Sequence, residues 1–352
     1  MKIGILTHHY INNFGAFLQT YALQEAIKEM YPKDEVFVIN AINLKHFVIN
    51  TGGWFRFYKD RENIKAWTEK IHLPFTFYKA RKKYLHLTKR CYSTKAINKL
   101  GLDCIVIGSD EVWNYQEGKG NAAVKFGEGL DCKKLIAYAP SVGKSCVTEQ
   151  MPQYIKSGLE RFHAISSRDD LTEEFVEKTV NIKPKRVLDP TFMAPFPQEN
   201  YKKAQTPYIM FYYCDGIPNE LKKQIVDEAH RKGMKVYGAG ECDKKYSDIT
   251  VNLTPFEWIG MFRNAEFVFT GTFHGAVFSI LNHRQFQVYM TNQSRIKKIT
   301  SLLNQFAIDL KSVDLMQGNK PFEEKISYHI VDEHIDALRK QSREFLESIG
   351  EE

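Results

Sequence analysis

In FVFTGTFHGAVFSI, residues 267–280, one histidine stands between two apolar runs. The first run reads as a strand and the second as a helix, so Thr272, His274 and Gly275 fall at the junction. A histidine there is a candidate general acid or base, because its unperturbed pKa is about 6.5. Amides of a helix beginning near Gly275 would attract an anion and disfavour the imidazolium, which keeps His274 neutral and fit to act as a base. The plainer alternative is a histidine that only caps its own turn.

Other apolar runs also end in polar groups. THHYINNFGAFLQ follows the run at 2–7. Asn13 and Gly15 form a loop before a helix that starts at about Gly15 or Ala16, and Gln19 lies one turn further on. This is either an anion site or an ordinary turn with an Asn cap. GSDEVWN (108–114) follows the third run. Ser109 or Asp110 suits a helix cap, Trp113 offers a face to a sugar ring, and Asn114 offers an amide to its hydroxyls. A capped turn with a packed tryptophan is equally open. SSRDD (166–170) places Arg168 at a strand end, suited to a phosphate or carboxylate, or else paired at the surface with Asp169 or Asp170.

These groups need a scaffold, and the chain spells one out. Short apolar runs at 2–7, 35–40, 103–109, 135–141, 164–170 and 186–190 alternate with helical periodicity, as at 16–30. That alternation predicts an α/β fold of βαβ units with buried parallel strands. Pro190, Pro195, Pro197 and Pro207 then mark a linker and hinge. A second set follows: strands at 208–214, 235–240, 266–271 and 285–290, with helices near 219–232, 255–264 and from about 275. The expectation is two Rossmann-like domains facing a cleft, residues 1–190 and 208–325. The amphipathic tail, 326–352, is expected to pack back on the first. Ligands of open α/β sheets sit beyond the carboxyl ends of the strands, where the polar groups above fall.

Composition narrows the function classes. The 352 residues carry a net charge of +7. It is concentrated between Arg56 and Lys99, where thirteen lysines and arginines face three acidic residues. Aromatic residues interleave with that charge: Trp54, Phe55, Phe57, Tyr58, Trp67, Phe75, Phe77, Tyr78 and Tyr84. The stretch, about 50–100, reads as an insertion in the first domain. Either it meets an anionic membrane face or it is a solvated helical face with core aromatics. No nucleic-acid motif accompanies it. Six cysteines include no Cys-x-x-Cys pair, and Cys104 and Cys214 sit in apolar runs where a buried thiol is expected. No metal-ligand cluster or cofactor motif is evident. No run is long enough to span a membrane, and the N-terminus reads as a strand and not a leader, which places the protein in the cytoplasm, at most at the inner membrane face.

Asn-Asn-Phe-Gly-Ala-Phe-Leu-Gln-Thr-Tyr-Ala-Leu-Gln, Gly-Ser-Asp-Glu-Val-Trp-Asn, Ser-Arg-Asp, Leu-Asp-Pro-Thr-Phe and Phe-His-Gly-Ala occur in that order. Together they resemble the polysaccharide pyruvyl transferase family, from the N-terminus to about residue 310. The resemblance implies a GT-B-like fold. It also implies transfer of a pyruvyl group from phosphoenolpyruvate to two hydroxyls of a sugar in a cell-surface polysaccharide or its lipid-linked precursor. The family's donor-binding arginine falls on Arg168 and its cleft histidine on His274. The family's Arg-Leu before that histidine is Thr272-Phe273 here, and Arg295 is the candidate to supply the missing charge. Two other readings stay open: a GT-B-type glycosyltransferase using a nucleotide sugar, and a non-catalytic glycan- or membrane-associated protein.

Overall fold

A computed structural model of the chain describes residues 1–56, 64–118, 123–214, 216–240 and 246–351. It contains eleven strands among the described residues. The first six are β1 (Lys2–Leu6), β2 (Glu35–Val38), β3 (Cys104–Ile107), β4 (Lys134–Ala137), β5 (Ala164–Ser167) and β6 (Lys185–Arg186). The other five are β7 (Tyr208–Tyr212), β8 (Lys235–Ala239), β9 (Ile249–Val251), β10 (Phe267–Thr270) and β11 (Phe286–Val288). Each strand read from the sequence is present, mostly shorter than its run; the run read at 186–190 meets β6 only at Arg186. β9 is the addition, a short run that carries no distinguishing pattern.

The helices of the first part are α1 (Phe14–Met30), α2 (Leu44–Trp54), α3 (Ile64–Tyr84), α4 (Thr94–Asn98), α5 (Gln153–Leu159) and α6 (Asp170–Val180). Those of the second are α7 (Asn219–Arg231), α8 (Pro255–Asn264), α9 (Phe273–Leu281), α10 (Gln293–Gln305), α11 (Leu310–Val313) and α12 (Tyr328–Leu346). None of the described helices is long and apolar enough to cross a membrane.

The chain divides into two compact units. The first comprises residues 1–51, 80–195 and 335–352, and the second residues 52–79 and 196–334. The basic stretch read as an insertion in the first half is therefore split. Glu69, on α3, accepts the amide of Asn252 at 3.0 Å, which ties that part of the stretch to the second unit.

In the first unit a six-stranded sheet runs β2-β1-β3-β4-β5-β6, all parallel. Its central strand β3, Cys104–Ile107, is buried throughout, as a sheet covered on both faces requires. Leaving β1, the chain passes to β2 on one side. From β3 it proceeds to the other. The switch point lies between β1 and β3, where such sheets bind ligands. The end of the chain belongs to this unit. Ser342 accepts the amide of Leu188 at 2.8 Å, and Arg339 donates to the carbonyl of Phe192 at 2.9 Å.

The second unit holds a five-stranded parallel sheet, β11-β10-β7-β8-β9. Its switch point lies between β7 and β10. Phe211, Phe269 and Ile225 form the core of this sheet and are fully buried. Cys104 and Cys214 are buried free thiols, and burial pushes the Cys104 thiol up to about 12. Cys242 lies outside the described residues.

Candidate active site

In the second unit the site is built on the end of β10. Thr270 is fully buried, and its hydroxyl donates to the carbonyl of Tyr212 on β7 at 2.9 Å. The same oxygen accepts the amide of Thr272 at 3.2 Å. Thr272 then caps α9, its hydroxyl accepting from the Gly275 amide at 3.0 Å. The helix therefore begins at Phe273, two residues before the expected start, and His274 lies within its first turn. The Gly275 amide is taken up by this cap. Gly275 is glycine because a Cβ there would lie 2.0 Å from the Thr270 hydroxyl, so helix and strand could not close together. His274 is half-buried, with the Phe273 ring edge-on at 5.3 Å. The imidazole thus stands at the switch point of its sheet, held by a polar turn that Thr270 organises. Arg295 is exposed on the first turn of α10, the helix that follows β11, and β11 pairs with β10.

In the first unit Asn13 caps α1, accepting from Ala16 at 3.0 Å. Gly15 is buried inside the first turn of that helix. Gln19, one turn on, donates to Asp189. Arg168, after β5, also meets Asp189, at 2.5 Å, and both side chains are almost fully buried. Asp189 further accepts the amide and hydroxyl of Thr191 at 3.1 and 2.7 Å. The alternative of a surface pair for Arg168 is ruled out by its burial; Asp169 caps α6 and Asp170 pairs with Arg186. Burial works against the Arg168 charge, but Asp189, Asp110, Asp169 and Glu111 outweigh it and raise its pKa.

GSDEVWN does not start a helix. The carbonyl of Ser109 accepts from Thr7 at 2.9 Å, linking the ends of β3 and β1 at the switch point. Asp110 turns the chain with φ of 76° and accepts the amide of Glu111. Of the two readings of Trp113, the packed one forms: it is fully buried, stacked on Phe126 at 5.6 Å with its N–H on the carbonyl of Lys125. Asn114 is engaged by Glu111 and Ser145. Trp113 is a core position because the Ala123–Phe126 turn packs on it.

Residues 13–291 match the family model for polysaccharide pyruvyl transferases. The chain belongs to that family. As a polysaccharide pyruvyl transferase family member it is a transferase, and its two parallel α/β sheets are the GT-B-like class expected. The match is shorter at both ends than the motif resemblance suggested. A candidate UDP-N-acetylglucosamine 2-epimerase from Listeria monocytogenes has a similar fold, with 10% identity over 98% of this chain and 90% of that one, and a TM-score of 0.52. S. aureus MnaA with UDP shows 8% identity over 97% and 90% of the two chains, at a TM-score of 0.48. No curated protein sequence matches this chain.

Several charged groups of the first unit escape sequence reading. Arg81 counts in the sequence as one more cation of the basic stretch. In the fold it is buried and donates twice to the Asn12 side chain, both at 3.1 Å, and burial pushes its pKa down to about 10. His9 is buried with its Nε2 3.2 Å from Asn40, and burial pushes it down to about 4. The rule that polar groups follow strand ends, which points to Asn13, also reaches His8 and His9. Nothing local marks Arg81.

Proposed function

We propose that this transferase moves a pyruvyl group from phosphoenolpyruvate to two hydroxyls of a sugar in a cell-surface polysaccharide or its lipid-linked precursor. The observation that carries this reading is His274 in the first turn of α9, at the switch point of its sheet, in a chain of the pyruvyl transferase family. The donor's methylene carbon takes a proton, and one sugar hydroxyl attacks the neighbouring carbon. The second hydroxyl then displaces phosphate and closes the ketal. One hydroxyl proton ends on the new methyl group and the other on phosphate. His274 carries one of these transfers. Arg295 and the first turn of α9 are assigned to the donor's carboxylate and phosphate. Arg168 is assigned to it only in second place, because Asp189 already engages it.

The test is phosphate release from phosphoenolpyruvate with a panel of glycan acceptors. His274→Ala is expected to lower turnover by roughly 10²–10⁴-fold, the usual worth of a general acid or base. Parental turnover in that variant would reduce the histidine to a cap. Thr272, in place of the family's arginine, favours a second reading, a GT-B-type glycosyltransferase. Thermal stabilisation by nucleotide sugars and not by phosphoenolpyruvate would select it. No turnover with either donor would remove both readings of the donor.

The acceptor's lipid-linked form suits a surface of mixed charge and apolar character. Leu44, Val48 and Ile49 of α2 are exposed beside Lys45. In the second unit Phe55, Phe75 and Tyr78 are exposed beside Arg56 and Lys79, while Leu73 and Phe77 are core. Phe57 and Tyr58 lie outside the described residues. Salt-sensitive co-sedimentation with anionic vesicles is the expected result. Equal binding to neutral vesicles would remove membrane association from the proposal.

A further inference from the structure

The first unit contains a pocket that the chemistry above does not use. Its volume is about 280 Å³, close to the lower end of ligand sites, roughly 300 Å³. Tyr10, from the loop after β1, and Asn43, from the segment after β2, line it together with Tyr92, Ser93, Thr94 and Lys125. Tyr10 and Asn43 come directly off neighbouring strand ends. Lys125 comes from the long connection that leaves β3, so the pocket gathers loops from both sides of the switch point.

Lys125 makes this pocket more than a surface dent. A lysine is seldom fully buried, yet this one is only 4% exposed. Its backbone is pinned where it is: its carbonyl accepts the Trp113 indole N–H at 2.7 Å, and the adjacent Phe126 stacks on the same ring. The two carboxylates near it work against its burial. Asp110 and Glu117 favour the ammonium, and the nearby His9 is itself disfavoured by the Lys125 charge. Burial dominates and pushes the amine down to about 7. Tyr92 offers a ring for a sugar face and Thr94 a hydroxyl, while Asn43 and Ser93, which also accept the amides of His46 and Ala96, keep polar capacity at the pocket wall. The volume is enough for one monosaccharide carrying a phosphate.

We propose that this pocket binds a monosaccharide bearing a phosphate, with Lys125 as the partner of the anionic group. The role of acceptor-end subsite rests on the pyruvyl-transfer reading. The binding itself does not. The sugar phosphate can be free or joined to a lipid carrier, since both present the same chemistry.

Anion binding restores the ammonium. Above pH 7 the free amine must take up a proton as ligand binds, so affinity falls with pH, by up to tenfold per unit. His9, held near 4, stays neutral across this range and adds nothing to the slope.

The full-length protein is titrated calorimetrically at pH 6.5, 7.5 and 8.5. The ligands are glucose 1-phosphate, glucose, uridine monophosphate, and a prenyl-phosphate-linked glucose in vesicles. Expected results are binding of one or both phosphorylated glucoses, much weaker binding of glucose, and weakening from pH 7.5 to 8.5. Proton uptake at pH 8.5, read from buffers of different ionisation heat, tests the linkage in the parental protein without relying on a variant. Lys125→Met is expected to lose at least tenfold in affinity and all of the pH slope. Binding only in the vesicle arm assigns the lipid-linked source, and binding in solution the free one. Unchanged affinity in Lys125→Met, no proton uptake, tighter binding of uridine monophosphate, or no binding of either phosphorylated glucose overturns the proposal. Binding without phosphate release from phosphoenolpyruvate would leave the pocket standing and remove the function.

Discussion

Asp189 holds Arg168, Gln19 and the turn at Thr191 at once, so either half of the ion pair is costly to remove alone. Both side chains are buried, and truncating one leaves an uncompensated charge worth about 3–5 kcal/mol. Arg168→Ala and Asp189→Ala are each expected to destabilise the protein by that order, and the double variant by clearly less than their sum. A double-mutant cycle in urea measures this. If the single changes leave the unfolding midpoint in place while donor affinity falls, Arg168 is a binding residue first and a structural one second. The same logic explains why a residue's type says little without its neighbours. Arg81 and Arg56 look alike in the sequence, yet one is buried against Asn12 and the other is exposed.

At the scale of elements, the junction of β10 and α9 is tightly constrained by packing. Thr270, Thr272 and Gly275 form one hydrogen-bonded turn, and Gly275 rests directly on Thr270. Gly275→Ala would gain helix propensity of about 1 kcal/mol. It would also force a methyl group into the Thr270 side chain, a kind of overpacking that costs about 1–3 kcal/mol. The net expectation is destabilisation, with lower activity as the His274 turn shifts. Thermal denaturation and turnover of the same variant check both halves. A more stable Gly275→Ala protein would mean that β10 and α9 can separate at little cost. The start of α9 was legible only to within two residues, because the cap depends on which hydroxyl reaches back, Thr272 here, and that is a matter of local geometry.

At the scale of the whole molecule, the first unit is completed by the last residues of the chain. Leu346 and Ile349 are fully buried, Phe345 packs beside Tyr138, and Tyr31 donates to the carbonyl of Leu346 at 2.9 Å. Deleting residues 335–352 exposes this apolar surface and leaves the Leu188 amide without Ser342. The truncated chain is expected to lose cooperative unfolding of the first unit, or to aggregate. Limited proteolysis would then cut within residues 80–195 before 196–334. Equal resistance of both regions would show that the terminal helix is dispensable.

The sequence by itself determined every strand except β9, their parallel α/β arrangement and the family. Buried parallel strands must be short apolar runs bounded by polar turns, and that pattern is local. It also placed His274 at a strand end, because the histidine directly follows the run that makes β10. Burial of polar groups was decided only by the tertiary structure. Trp113 was packed against Phe126, Arg168 found a carboxylate 21 residues away, and Lys125 was enclosed beside a pocket. Each of these outcomes depends on which distant segments close over a side chain, and a local pattern of residue types does not encode that contact.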